Sequence, residues 1–534
     1  MISIHLFITS LVTIILSSLY GITPARSARI LVLPMHLQAS HKKSMVPLVE
    51  ALGEHGHDVT IWNTFFAKQP VKLKYAKEYD VVVPTENFVY KEQFVWENGS
   101  AIMDVWRAPP MTPVDMLIPW YIGIDICRHT LDHAPKELDA VMRKDWDLII
   151  MDMFFAPCAY GIARRAVSHP PYILMSTTFF IHFAMNDYGL PMPISQALAS
   201  ESDFDVTKFC HRLSYTVNWR IVDQVFVRGL ELLMKFNIGP AFPPGFSFSE
   251  HNRDASFLYS VYPPSIDSPR ALTRNAINFG DVDCDKAFGK PGSLPEDLEK
   301  FVSDPRSKGT ILAAFGHIAS WAEAPDFIID AFYEAFSELN DYRIVWQYNG
   351  RSLPSRSNIR MMKWIPQKEL LGHTRTLLFI SHMGLKSTIE AICNRLPVAA
   401  LPLFAEQYVN TLQMALRRGC GIELDKHRLS KNYMLRKLRS ILEEYQLKSY
   451  KRSVERLANY MTDKIRPDLD IGVFWTEFGL RHRRHMHILR DRSKDLNLFQ
   501  YTMCDVLVVP FAIMALMISA GVIASRCLIR KTSS

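Results

Sequence analysis

The chain of 534 residues lacks several features that would classify it at once. Its eight cysteines include no Cys-x-x-Cys pair, which excludes a zinc ribbon and a thioredoxin-type motif. Lysine and arginine number 61 against 54 aspartates and glutamates, and no basic stripe is interleaved with aromatics. Nucleic acid is therefore excluded as a partner class. The loop behind the first apolar run, Met35 to His41, has no glycine, which excludes a dinucleotide fingerprint there. No lysine or arginine occurs among the ten residues Leu496–Asp505, and the apolar N-terminus lacks the usual positively charged start.

What is present begins with an ordinary globular composition, 48% apolar and 22% charged, over a length that predicts two or more domains with sizeable cores. Both ends predict an address. An apolar stretch from Leu6 to Tyr20 precedes Ala25-Arg26-Ser27, a small-x-small cleavage pattern, so residues 1–27 read as a signal peptide. Val506–Ser525 is a run of 20 uncharged residues, enough to cross a bilayer as a helix. The tail 526–534 carries Arg526, Arg530 and Lys531, opposite the bare segment before the span. That bias puts the tail in the cytosol, and the signal peptide puts the body in the lumen. The expectation is a single-pass type I protein of the secretory pathway. Asn98-Gly99-Ser100 is the one glycosylation sequon and would be reachable there. An oxidising lumen permits disulfides, but the spacing does not give their pairing.

Two similar halves follow. Ala28–Pro34 is an unbroken apolar run that reads as a buried strand. Met45, Val46, Leu48, Val49 and Leu52 then recur at helical spacing up to Gly56, and Asp58–Thr64 reads as the next strand. The second half repeats the rhythm: strands at Thr310–Gly316, Tyr342–Tyr348, Thr376–His382 and Pro397–Leu403 alternate with helices at Pro325–Leu339, Leu385–Arg395 and Glu406–Gly419. Such alternation predicts α/β architecture with parallel sheets. The Gly-, Pro- and Asp-rich stretch 280–301 reads as the linker. The expected organisation is 28–285 as one Rossmann-like domain, 286–470 as a second facing it across a cleft, 471–505 as a helical return, 506–525 as the membrane span and 526–534 as the tail. Ligands in such folds sit beyond the carboxyl ends of the strands.

One stretch carries the chemistry. It reads Trp364-x-x-Gln367, then His382-x-Gly384-x-x-Ser387-x-x-Glu390, then Glu406-Gln407-x-x-Asn410. Taken singly, an interior Trp or a strand-end His is more often a core residue than a ligand group. The joint spacing resembles the signature of the UDP-glycosyltransferases, and the resemblance extends to the secretory start and the anchored end. It is similar to the metazoan microsomal branch, and Tyr188–Ser195 resembles nematode members. The resemblance implies a GT-B fold, with the second half binding a UDP-sugar co-substrate and no separate cofactor. Trp364 would stack on uracil and Gln367 bond its edge. His382, Gly384 and Ser387 would frame the diphosphate at a helix N-terminus, where free N–H groups favour an anion. Glu390 would reach the ribose, and Glu406 and Gln407 the sugar hydroxyls.

The family's general base is a His just after the first strand, held by an Asp. His36 and His41 both qualify by proximity. The count back from Gly56 and the preceding Ser40 match the family at His41. Asp152 ends an apolar strand and would be the partner, whereas Asp147 lies at the wrong end of that strand. The implied reaction is inverting displacement at the anomeric carbon without a metal. The His-rich Arg481–His487 reads as a solvated basic face.

The chain departs from the family pattern at five places. Lys386 stands where Asn is usual, His317 where a hydroxyl is, Gln347 where a basic residue is common, Arg395 where Gly is, and Glu406 where Asp is. Lys386 and His317 could both address the diphosphate. Together these departures keep open a second class, a lumenal UDP-sugar- or lipophile-binding protein that kept the fold and lost turnover. Apolar stretches at Met153–Cys158 and Ser176–Met185 predict a small lipophilic acceptor. The donor, glucose or glucuronate, is left open with a lean toward glucose. Assembly with a second copy of the chain is also left open.

Overall fold

The computed structural model describes residues 27–532 apart from 35–38, 66–71, 83–94, 98–99, 103–104, 108–116, 154–155, 181–184, 186, 191–204, 218–221, 270–271, 281–283, 285–291, 317–318, 491 and 502. Four expectations fall outside the described residues: the signal peptide up to residue 26, His36, the sequon at Asn98, and His317.

The N-terminal half is built on strands β1 (Arg29–Leu33), β2 (Asp58–Phe65), β3 (Lys77–Val82), β6 (Leu148–Asp152), β7 (Tyr172–Ser176), β8 (Phe257–Ser260) and β9 (Ala276–Asn278). A small antiparallel hairpin, β4 (Val95–Glu97) and β5 (Ser100–Ile102), stands apart from them. The seven strands form one sheet in the order β3-β2-β1-β6-β7-β8-β9, every pairing parallel. The runs RILVL, LIIMD and YILMS are apolar without alternation because helices cover both faces of the sheet. Each fully buried Leu or Ile there contributes roughly 1.5–3 kcal/mol.

The C-terminal half repeats the plan. Strands β10 (Thr310–Ala314), β11 (Arg343–Gln347), β12 (Ile359–Met362), β13 (Thr376–Ser381), β14 (Val398–Ala400) and β15 (Gly421–Glu423) form a parallel sheet in the order β12-β11-β10-β13-β14-β15. Each sheet reverses direction once in its strand order, between β1 and β6 in the first and between β10 and β13 in the second. The loops leaving adjacent strands there diverge and open a crevice. One expected element differs. The helix read over Glu406–Gly419 is α-helical only at Gln407–Asn410 and continues as a π-helix over Thr411–Arg417.

The halves are joined by more than a linker. Trp106 of the first half is buried in the core of the second, its Nε1 donating to the Ser320 carbonyl at 2.8 Å and its ring 4.6 Å from that of Trp321. Lys426 donates to the Val105 carbonyl at 3.0 Å. A disulfide joins Cys284 of the linker to Cys393, and a second, Cys127–Cys158, ties two helices of the first half. The helix Asp468–Arg481 then returns to the first half. There Gly472 and Gly479 give room for Phe279 and Phe257, and Tyr259 Oη lies 3.1 Å from Thr476 Oγ1. Arg490 and Ser493 continue this contact by donating to the carbonyls of Asp254 and Gly189 at 2.5 and 3.0 Å. The chain ends in a helix, Cys504–Thr532, of which 23 residues, Cys504–Arg526, are apolar enough to cross a membrane. At 1.5 Å per residue this stretch measures roughly 35 Å.

Candidate active site

The first cluster lies where the strand order of the N-terminal sheet reverses. Leu33 of β1 is in register with Met151 of β6, so the loops that follow the two strands start side by side. The helix Ala39–Glu54 begins in one of them and carries His41 in its first turn. Asp152 is the last residue of β6 and is only 1% exposed. His41 Nδ1 lies 3.2 Å from Asp152 Oδ2. Thr177, directly after β7, completes the group: its hydroxyl contacts the same His41 nitrogen and donates to Asp152 Oδ2 at 3.4 Å. A carboxylate and a hydroxyl oxygen on Nδ1 favour the tautomer with the proton there. Nε2 is then the basic nitrogen, and an imidazolium formed on it is stabilised by Asp152. Asp147, at the start of the strand, instead accepts from the Arg29 backbone at 2.9 Å and from Arg483 at 3.4 Å.

The second cluster lies at the matching reversal of the other sheet. Ala314 of β10 is in register with Ser381 of β13, and the chain leaves them through Gly316 and His382. The imidazole of His382 sits between two glycines. A Cβ on Gly384 would come within 2.7 Å of its Nε2, and one on Gly316 within 3.2 Å of its Cε1. Gly316 has φ +69°, a left-handed conformation that suits glycine. Between His382 and Gly384, Met383 holds φ +63° without being glycine. The helix Leu385–Cys393 starts at once with Gly384 at its N-cap, which has no side chain to cap the first N–H groups; the Glu406 carboxyl reaches one of them, that of Leu385. Those groups and the helix dipole make an anion site.

Around this helix end two of the expected donor residues are hydrogen-bonded to each other. Gln367 Nε2 donates to Glu390 Oε2 at 2.5 Å. Burial raises the Glu390 carboxyl, while Gln367 and Lys386 oppose the rise. Lys386 is solvent-accessible, yet enclosure in the cleft, then repulsion from Lys43 of the first half, bring its ammonium down to about 8, with Glu390 opposing. Ser387 is buried beside it. Trp364, three residues before Gln367, is 76% exposed, an indole face uncovered by protein. Glu406 joins the two clusters. Burial raises its carboxyl, and its own backbone N–H, then the His41 ring and the Leu385 N–H, pull it back down. The charge of a residue of the second half is thus felt by the histidine of the first.

Two placements add to the sequence reading. The side-chain oxygen of Gln407 accepts from the backbone N–H groups of Leu403 and Phe404 at 2.9 and 3.1 Å. That oxygen shapes its own loop, because the residue is buried where the chain must turn at Ala405, φ +52°. Thr177 was read only as part of an apolar acceptor stretch. Its signal was its place directly after the strand beside Asp152. Among the described residues, no three His, Cys, Asp or Glu side chains gather in a way that could hold a metal ion.

Comparison with known proteins addresses the family and the fold. A UDP-glucosyltransferase 2 of Dactylopius coccus is 27% identical over 511 residues, covering 94% of this chain and 92% of that protein. The UDP-glucuronosyltransferase 1A1 of Homo sapiens is 24% identical over 518 residues, covering 91% and 89%. A UDP-glucuronosyltransferase of Pleuronectes platessa is 37% identical over 245 residues, 45% of this chain and half the length of that relative. Among solved structures, the calicheamicin glycosyltransferase CalG4 superposes with TM-score 0.56 at 15% identity, covering 85% of this chain and 99% of that one. Phytolacca americana UGT2, complexed with UDP-2fluoro-glucose and pterostilbene, superposes with TM-score 0.54 at 15% identity, covering 85% and 99%. Both share the two-sheet GT-B fold. The family model described as UDP-glucoronosyl and UDP-glucosyl transferase matches residues 243–532, more than half of the sequence, and the chain belongs to that family of glycosyltransferases.

Proposed function

We propose that the chain transfers a hexose, with inversion, from a UDP-sugar to the hydroxyl of a small lipophilic acceptor. The observation that carries this reading is that His41, backed by Asp152 and Thr177, stands at the strand-order reversal of the first sheet, while the N-terminus of the helix Leu385–Cys393 stands at the matching reversal of the second. His41 Nε2 takes the acceptor's proton as the new bond forms at the anomeric carbon. The bond from that carbon to the β-phosphate oxygen breaks, and its electron pair leaves with UDP. The helix N–H groups, His382 and Lys386 receive the charge of the leaving diphosphate. Trp364 stacks on the uracil, Gln367 and Glu390 hold the nucleoside, and Ser387 adds a donor beside the phosphates. Glu406 addresses the sugar, and an acidic group there would repel a glucuronate carboxylate, so the reading takes glucose as donor. No further cofactor enters.

The same reading makes the protein a nematode-like, single-pass member of the microsomal branch, in the endoplasmic reticulum with both Rossmann-like domains lumenal. Its support is the apolar helix at Cys504–Arg526 and the basic tail behind it. The test is a screen of full-length protein in sealed microsomes against labelled UDP-glucose and UDP-glucuronate with a panel of phenols, alcohols and acids. Transfer from UDP-glucose, latent until detergent opens the vesicles, is the expected result. Tight UDP binding with no transfer to any acceptor would favour a fold retained for binding alone.

A further inference from the structure

The geometry points to Tyr262 and Asn410 as positioning residues that set the distance between the base and the donor loop. The inference rests on the proposed transfer reaction. Both side chains are fully buried, one in each half. Tyr262 Oη donates to Asn410 Oδ1 at 2.8 Å, and Asn410 Nδ2 donates to the Met383 carbonyl at 2.8 Å. The amide can face only one way. Reversed, it would point an oxygen at a carbonyl oxygen and lose that bond. Asn410 therefore holds the residue that separates His382 from Gly384, in a left-handed conformation that costs about 1–2 kcal/mol without glycine. Thr388 Oγ1 donates to the same carbonyl at 3.3 Å, so the loop is held from two sides.

The other end of this link reaches the base. Tyr262 donates its backbone N–H to Ser260 Oγ at 3.1 Å, and that hydroxyl donates to the Thr178 carbonyl at 3.1 Å. Its ring stands edge-on to Phe179, 6.2 Å between centroids. Ser176 Oγ donates to the Phe179 carbonyl at 2.7 Å. The segment so fixed, 177–179, begins with the threonine that contacts both His41 and Asp152. A continuous path thus runs from His41 through Thr177, Thr178 and Tyr262 to Asn410 and Met383. One hydrogen bond, Tyr262 to Asn410, crosses between the halves along it. Neither residue needs to touch substrate to matter, because a displacement near 1 Å of base against donor can lower a rate about 10²-fold.

The experiment uses full-length protein in detergent, with UDP binding by calorimetry and transfer kinetics measured side by side. Tyr262→Phe deletes one oxygen and should lower kcat about tenfold, with the UDP dissociation constant within twofold of wild type and the melting temperature little changed. Asn410→Ala should lower kcat and also weaken UDP at least fivefold, because the donor loop loses its anchor. The double variant should behave as Asn410→Ala alone, since the two act through one bond. An active wild type with an unaffected Tyr262→Phe overturns the inference. So does a kcat loss matched by an equal loss of UDP-binding sites, which would mark a folding role only. So does unchanged UDP binding in a folded Asn410→Ala, whether or not any acceptor is found. Where Asn410→Ala fails to fold, Tyr262→Phe decides. Lack of transfer by the wild type counts against the proposed function instead.

Discussion

Gln367 donates its side-chain amide to the carboxylate of Glu390 at 2.5 Å, tying the residue just past Trp364-Ile365-Pro366 to the helix behind the phosphate loop. Burial already pushes the Glu390 carboxyl upward, and this bond is the first influence that holds it down. Gln367→Ala should therefore raise that carboxyl further and remove an interaction worth about 1.5–3 kcal/mol, the range for hydrogen bonds to charged groups. UDP and uridine should weaken alike, because the fault lies at the nucleoside end. Calorimetry with both ligands checks it, and a loss for UDP alone would place the pair at the phosphates instead.

Thr177 and Asp152 share one ring nitrogen of His41, and substitutions at His41 and Thr177 should differ in weight. His41→Ala removes the base and should lower kcat by roughly 10²–10⁴-fold, leaving UDP affinity nearly unchanged. Thr177→Val keeps the base and its carboxylate while loosening the ring, so its loss should be smaller, about tenfold. His36→Ala is the control. If it abolishes transfer while His41→Ala stays active, the base is His36, five residues earlier in the chain.

Lys386 should make UDP binding depend on pH. Its ammonium titrates near 8 in the free cleft, where enclosure and Lys43 disfavour the charge. A bound diphosphate favours that charge, so UDP binds best below about pH 8 and loses affinity as pH rises to 9.5. Lys386→Met should flatten this profile, and uridine should be flat in both proteins. Stability runs the other way. Between about 8 and 10.5 the unfolded chain holds this proton more tightly than the folded one, so the lysine opposes folding at neutral pH. Lys386→Met should melt slightly higher without ligand. A variant with the wild-type pH profile would remove Lys386 from the phosphate site.

Much of this was legible in the residue order, for stated reasons. Strands buried on both faces read as unbroken apolar runs, so β1, β6, β10 and β13 could be placed, and with them the ends that carry His41, Asp152, Gly316 and His382. Thr177 was not legible, because its role arises only when β7 lies beside β6. Nor was Trp106, since no periodicity says that an indole of one half fills the core of the other. The pairing of Cys284 with Cys393 is likewise a fact of tertiary proximity. Gln407 matched the motif, yet the motif does not say that its side-chain oxygen turns back onto its own loop. The departure at Arg395 was legible as an oddity, and the structure supplies the cause of the usual glycine there.

That cause gives a stability prediction. The helix Leu385–Cys393 ends through Asn394 into Arg395 at φ +55°, with the Leu396 N–H returning to the Ala391 carbonyl at 3.0 Å. The left-handed position after a helix suits glycine and strains other residues. Arg395→Gly should stabilise the protein by about 0.5–1 kcal/mol, the strain relieved less the extra freedom of the unfolded chain. Differential scanning calorimetry should read a rise of a few degrees at most, and a lower melting temperature would mean that the arginine side chain contributes more than its backbone costs.

Trp106 provides the largest expected effect away from the cleft. It comes from the first half, yet its ring lies 4.6 Å from Trp321 and 5.7 Å from Phe315, with its N–H on the Ser320 carbonyl. Phe315 directly follows β10 and precedes Gly316, so the indole supports the strand end from which the Gly316 loop departs. Trp106→Ala should cost about 3–5 kcal/mol, the range for emptying a buried aromatic site. It should also uncouple the halves, because the indole is buried in the other half's core. The wild type should unfold in one calorimetric transition and Trp106→Ala in two, the earlier one moved upward by UDP because the second half binds it. Trp106→Phe should recover most of the stability by refilling the space, while the Ser320 carbonyl loses its donor. A single unshifted transition in Trp106→Ala would mean that the halves are held together without this side chain.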